Sequence, residues 1–261
     1  MEFEFISLLF IGVCGFAFLA GFVDAIVGGG GLVTVPFLFV GFPTAPVSMV
    51  IGTNRFSSIP GTIVAARHYL RHTQIPVKML LLCAFSAAVM SYTGAAVSRL
   101  LKPDVLKPLM LIIMVAVAAY TYMKKNLGHT DDHTFSDWRL PATAILVCAV
   151  LGFYNGFFGP GTGSLLVFAF VSVIGFSFLK SSAMAKIVNV VADIASLIFF
   201  ITNGFVFWKL AIPMAFCQIA GSVVGSRMAV LKGNRFIRYV FLVVVGGLIL
   251  RFGYDVWKMM A

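Results

Sequence analysis

Gly21-Phe22-Val23-Asp24-Ala25-Ile26-Val27-Gly28-Gly29-Gly30-Gly31 closes the first long apolar segment of a 261-residue chain. Each glycine in such a run costs about 1 kcal/mol relative to alanine in a helix and releases the backbone from helical φ/ψ. Asp24, four residues ahead of the run, is expensive at membrane depth, about 2.5–3.5 kcal/mol. A helix broken there bares N–H and C=O groups that lipid cannot satisfy. Protein must bury them, or a wet cavity must receive them. The pattern returns 131 residues later as Gly152-Phe153-Tyr154-Asn155-Gly156-Phe157-Phe158-Gly159-Pro160-Gly161-Thr162-Gly163. Broken helices at corresponding places in two halves point to a transport site.

Composition agrees with a membrane setting. The chain is 61% hydrophobic and 11% charged, with a mean hydropathy of +1.03, whereas a soluble domain carries about 25% charged residues. The net charge of +10 does not require nucleic acid. The basic residues sit between or at the ends of apolar segments, as positive-inside loops do, and form no continuous stripe. Glu2 and Glu4 precede the first segment, which is longer than a signal-peptide core and lacks a basic leader, so it is expected to be retained. Cys14, Cys83, Cys148 and Cys217 lie singly in apolar surroundings and read as small hydrophobes.

Long apolar segments cover approximately 5–27, 47–66, 79–97 and 105–123, with a short one at 32–42. After the polar linker 124–139 the order repeats: 140–158, a short 164–176, then 182–202, 210–228 and 236–257. The spacing predicts an all-α polytopic membrane protein with about eight long transmembrane helices and two short, glycine-flanked segments. Its parts are a first repeat over 1–123, the linker 124–139 and a second repeat over 140–261. A constant offset of 131 matches Gly21, Phe22, Gly28, Gly30, Lys78, Ser91, Gly94 and Leu100 with Gly152, Phe153, Gly159, Gly161, Lys209, Ser222, Gly225 and Leu231. Eight spans favour parallel halves. The basic residues favour inverted ones, because inversion puts Arg227, Lys232, Arg235 and Arg238 on the same side as Arg67, Arg71 and Lys78. Inversion is the expectation adopted here.

The segment after each short one opens with a polar stripe. Arg55, Ser58 and Thr62 in the first half, and Lys186, Asn189 and Asp193 in the second, stand at i, i+3 and i+7, one helical face. Backbone amides freed at Gly28, Gly29, Gly30, Gly159 and Gly161, beside Thr162, can be aimed at an anion. Arg55 and Lys186 add two positive charges, and Asn54, Ser58 and Asn189 add hydrogen-bond donors. This set suits a small oxyanion, carboxylate or sulfonate, and suits a metal cation poorly. Asp24 and Asp193, with Asn155 at the position matching Asp24, are candidates for proton uptake or for ion pairing with the basic residues. His129, Asp131, Asp132 and His133 crowd the linker and read as a solvated loop rather than a metal site. The glycine run lacks the GK[ST] of a phosphate loop, and the spans hold no hydrolytic triad or HExxH motif, so neither a nucleotide site nor an enzyme is expected. No cofactor is expected either.

These motifs, together with Thr53-Asn54-Arg55, resemble the sulfite exporter TauE/SafE family of membrane permeases, in order and over nearly the whole chain. The chain departs from the family pattern in Gly52, in Arg55 where Lys is usual, in Asn155 for a second Asp, and in Met184-Ala185-Lys186. The resemblance implies a secondary transporter in the bacterial inner membrane for sulfur-containing anions such as sulfite, sulfoacetate or other organosulfonates. A passive anion pore is the alternative, and a scaffold or membrane enzyme a further one. The partners implied are the lipid bilayer and a small anionic substrate, with no nucleic acid and with a homodimer left open.

Overall fold

The computed structural model describes residues 2–42, 45–98 and 139–260. In chain order its helices are α1 (Glu2–Val27), α2 (Gly30–Gly41), α3 (Val47–Leu70), α4 (Val77–Val97), α5 (Arg139–Phe157), α6 (Thr162–Ser172), α7 (Phe178–Thr202) and α8 (Trp208–Met260). The offset of 131 carries the first residues of α3 and α4 onto those of α7 and α8. The apolar segment 105–123 and nearly all of the linker, including its His and Asp residues, lie outside the described residues.

Glycine ends α1. Gly28 takes φ +80°, which a Cβ disfavours, and α2 starts only two residues later with Gly29 as a cap that has no side chain to offer. In the second half Gly159 (φ 95°) and Gly161 (φ 85°) flank Pro160 between α5 and α6. The breaks are shorter than the motifs predict, since Gly30 and Gly31 already belong to α2 and Gly163 to α6. Pro46 and Pro76 stand just before α3 and α4, where a missing N–H costs nothing. Gly233, at φ 68° and ψ −163°, interrupts α8.

The outside of the bundle is apolar, and the largely apolar inside holds charged side chains. Leu81 and Phe85 on α4 are exposed, as are their repeat equivalents Ile212 and Phe216 on α8. Asp24, Arg55, Lys186 and Asp193 are buried. Buried charge beneath an apolar outer surface is the signature of a chain solvated by lipid. Among the described residues three helical stretches are long and apolar enough to cross a membrane: Val77–Val97, Phe178–Thr202 and Trp208–Gly233. α3 is long enough but carries the polar stripe. α1 and α5 contribute shorter apolar stretches, Gly12–Val27 and Pro141–Phe157, and α2 and α6 are short throughout.

The matched glycines are packing positions. A Cβ at Gly21 would run into the backbone of Gln218, and one at Gly152 into Ala87, the residue that the offset equates with Gln218. Gly94 against Phe153 and Gly225 against Phe22 form a second equivalent pair. Small residues let the backbones of α1 and α8, and of α5 and α4, approach closely, as lipid-embedded helix crossings require.

Contacts along these seams give the helix directions. From Phe18–Gly221 to Phe22–Gly225 the contacts of α1 and α8 advance together, so the two run the same way. So do α3 and α8, from Thr53–Phe207 through Ser57–Gln218 to Gly61–Ser222. α5 and α4 do likewise, from Ile145–Ser86 to Gly156–Ser91. α3 and α7 oppose one another. Gly52 and Thr53, early in α3, meet Phe205 and Phe207 beyond the end of α7, while Thr62, late in α3, shares Asp24 with Lys186 from early in α7. α2 doubles back on α1: Gly31 and Thr34 lie by Asn54, and Leu38 packs in one cluster with Val50.

Candidate functional site

The two breaks meet in the interior. Gly28 and Gly163 are in backbone contact, and Ser164 N donates to Gly28 O at 3.1 Å. A Cβ on either glycine would overlap the other's backbone, so only glycine allows the two hairpin tips to touch.

Beside that contact each half offers its cation to the other half. Arg55 on α3 pairs with Asp193 on α7; its Nη1 also donates to Asn155 Oδ1 at 3.2 Å, and its Nη2 donates to Asn155 O. Asp193 is held further by Asn155 Nδ2 at 2.9 Å and Asn189 Nδ2 at 2.8 Å. Lys186 on α7 pairs with Asp24 on α1, with Nζ 3.2 Å from Oδ2 and donating also to Asp24 O. Asp24 accepts in addition from Thr62 Oγ1 at 3.0 Å and from the Gly30 amide at 3.3 Å. Both cations are therefore matched by carboxylates. The centre holds two positive and two negative side chains.

A cavity of about 30 Å³ lies between the breaks, room for about one or two waters. Asp24, Gly28, Asn54, Arg55, Ser58, Asn155, Gly159, Gly161, Asn189 and Asp193 line it, all of them predicted site residues. Four predicted residues do not. Lys186 is taken up by Asp24. The Gly30 amide is engaged by the same carboxylate. Thr162 caps its own turn, with Oγ1 donating to Gly159 O at 2.7 Å, and Gly29 serves as the cap of α2. A Cβ at Gly30 would strike Ala20 O and Asp24 Cβ, each at 2.7 Å, so packing of α2 on α1 already requires a glycine here.

Gly31, Ile51, Phe158 and Gly163 line the cavity without having been singled out as site residues. Two of them are apolar, and in so hydrophobic a chain nothing marks them. Thr34, whose hydroxyl donates to Asn54 Oδ1, orients Asn54 from α2 and was equally invisible. Arg55 Nε, Asn189 Oδ1 and Ser164 Oγ are buried with no hydrogen-bond partner among the described residues. Buried polar atoms are nearly always satisfied, and two of these atoms, Arg55 Nε and Asn189 Oδ1, belong to residues that line the cavity. Among the described residues no His/Cys/Asp/Glu cluster could hold a metal ion, and the four cysteines are free. Gln218 packs between helices, with Nε2 donating to Ser57 Oγ at 3.0 Å.

Two broken hairpins meeting at a buried, charge-paired cavity inside an apolar helical shell define a membrane transporter. The chain belongs to the family described as sulfite exporter TauE/SafE, which matches residues 13–252. It is 33% identical over 253 residues to "Probable membrane transporter protein ORF9" of Sinorhizobium sp, covering 96% of this chain and 93% of that one. To "Probable membrane transporter protein YfcA" of Escherichia coli (strain K12) it is 33% identical over 251 residues, covering 96% and 92%. A more distant relative, "Probable membrane transporter protein YdhB" of Bacillus subtilis (strain 168), is 24% identical over 245 residues. No solved structure matches. The family and these relatives are membrane transporters and not enzymes.

Proposed function

We propose that this protein is a secondary transporter for small sulfur-containing anions, such as sulfite, sulfoacetate or other organosulfonates, across the bacterial inner membrane. The observation that carries this reading is Arg55. It is buried beside the cavity, paired to Asp193, and its Nε has no partner among the described residues. A sulfonate or sulfite oxygen is the same kind of acceptor as the Asp193 carboxylate, so a substrate anion competes for the guanidinium. A proton on Asp193 removes the competing charge and releases Arg55, which couples proton and anion without any further group. Asn189, Ser58 and Asn54 supply donors around the remaining oxygens.

The small cavity belongs to a closed state. Sulfite or a larger sulfonate requires the hairpins to part, which favours alternating access over a standing pore. We read the halves, 1–123 and 140–261, as inverted repeats. Support comes from helix direction: α3 and α7, related by the offset of 131, oppose one another, while α1 runs with the first part of α8 as α5 runs with α4. Further support comes from Arg227, which shares a pocket with Arg67 and Arg71 on the one side that inversion assigns to all of them. Each hairpin then enters from its own face of the membrane, and the two tips meet between the faces.

Flux into proteoliposomes tests the reading. Transport of labelled sulfite or sulfoacetate should saturate with concentration and respond to an imposed pH gradient. Flux that stays linear in concentration and ignores the gradient would identify a pore instead.

A further inference from the structure

A second pocket lies away from the charged centre, where the end of α3 meets α8. Its volume is about 270 Å³, and Arg67, His68, Arg71, Ser226 and Arg227 line it. Arg67, Arg71 and Arg227 are exposed and have no carboxylate partner among the described residues. Three guanidinium groups facing one space with no counter-charge among the described residues repel one another, so an anion that enters lowers the energy of all three. The planar forks of arginine match phosphate oxygens in particular.

The surroundings decide which anion. Arg67 sits between exposed Ile63 and Leu70 at i, i+4 and i+7 of α3. Arg227 sits between exposed Val224 and Leu231 at i, i+3 and i+7 of α8. Each arginine thus interrupts an apolar stripe that faces the lipid, the pattern of a side chain at headgroup level with acyl chains beside it. This basic cluster also has no counterpart at the positions equated by the repeat. The offset of 131 equates Arg67, His68, Arg71 and Arg227 with Ile198, Phe199, Thr202 and Ala96, none of which is charged. Helix packing common to both halves therefore does not require these basic residues.

We infer that this pocket binds the phosphodiester headgroup of an anionic phospholipid. Occupancy there would bridge α3, which carries Arg55, to α8. The site does not depend on which anion the central cavity takes.

Native mass spectrometry of the purified protein, exchanged into phosphatidylglycerol, phosphatidylcholine or inorganic phosphate, tests it. The protein should retain phosphatidylglycerol over phosphatidylcholine. Retention should fall roughly fivefold for each arginine removed, and about a hundredfold in the Arg67→Gln/Arg71→Gln/Arg227→Gln variant. Should the triple variant not purify, Arg227→Gln alone carries the comparison, since its side chain is exposed. Equal retention of both lipids, or unchanged preference in the variants, overturns the inference. Binding of inorganic phosphate without a preference for phosphatidylglycerol overturns the lipid assignment and makes the pocket a site for free anions.

Discussion

Asp24 and Asp193 are not related by the offset of 131, yet each meets a cation from the other half of the chain. The offset of 131 equates Asp24 with Asn155 and Thr62 with Asp193. In the first half the hairpin supplies the carboxylate and α3 a neutral partner, Thr62, at 3.0 Å. In the second half the hairpin supplies the neutral partner, Asn155, and α7 the carboxylate, at 2.9 Å. The acid missing from the second motif has not been lost from the site. It stands across the same contact.

Transposing it back should therefore be tolerated. Asp193→Thr alone leaves Arg55 buried without its counter-charge, and breaking such a pair costs about 3–5 kcal/mol. Adding Asn155→Asp returns a carboxylate to the contact and should recover most of that loss, together with transport. Thermal unfolding in detergent and flux in proteoliposomes check both. A double variant no better than the single one would show that the position of the acid matters, not only its presence.

The glycines at the breaks should divide by what surrounds them. Gly28→Ala combines a positive φ with a collision against the backbone of Gly163, and should abolish the folded protein. Gly31→Ala meets Asn54 Nδ2 at 3.2 Å and Pro160 Cα at 3.4 Å, beside the cavity, where a small adjustment suffices. That variant should fold and show altered anion affinity. Folded yield by size-exclusion chromatography, followed by ligand titration, separates the two.

Tyr69 offers a mild control. Its hydroxyl donates to Ala25 O at 2.9 Å, and its repeat equivalent is Phe200, which has none. Tyr69→Phe should cost about 0.5–1.5 kcal/mol, the net worth of one buried hydrogen bond, and should leave anion binding unchanged. A denaturant titration reads the first and a ligand titration the second.

Much of this was legible in the chain. Gly28, Gly159 and Gly161 break helices at positive φ that a Cβ disfavours, and a run of glycines inside an apolar segment declares that in advance. The polar stripes were legible from helical spacing, and ten residues predicted for the site do line one cavity. Partnership was not legible. Arg55 finds Asp193 138 positions away and Lys186 finds Asp24 162 positions away, and no local pattern chooses between those pairings and the converse. For the same reason spacing does not show that Asp24 engages both Gly30 and Lys186. Gly21, Gly94, Gly152 and Gly225 repeat for close helix crossing, a need that leaves the same mark in sequence as chemistry does.

The two ion pairs should differ in function because only one has its cation on the cavity. Asp24→Asn/Lys186→Met removes the pair whose lysine does not line it, and removes both charges together, which limits the destabilisation. This variant should remain folded and keep anion affinity within a few-fold of the parent. A complete loss of affinity would return Lys186 to the binding site.

The most direct measurement is the thermal stability of purified protein with and without sulfite, sulfoacetate and related sulfonates, for the parent and for Arg55→Gln/Asn155→Ala/Asp193→Asn. That combination removes the charges of the Arg55 pair and the side chain that steadies both. At 100 times its Kd a true ligand should add about 2.7 kcal/mol of stability to the parent and nothing to the variant. Equal stabilisation of both proteins would place the anion site somewhere other than Arg55 and contradict the account.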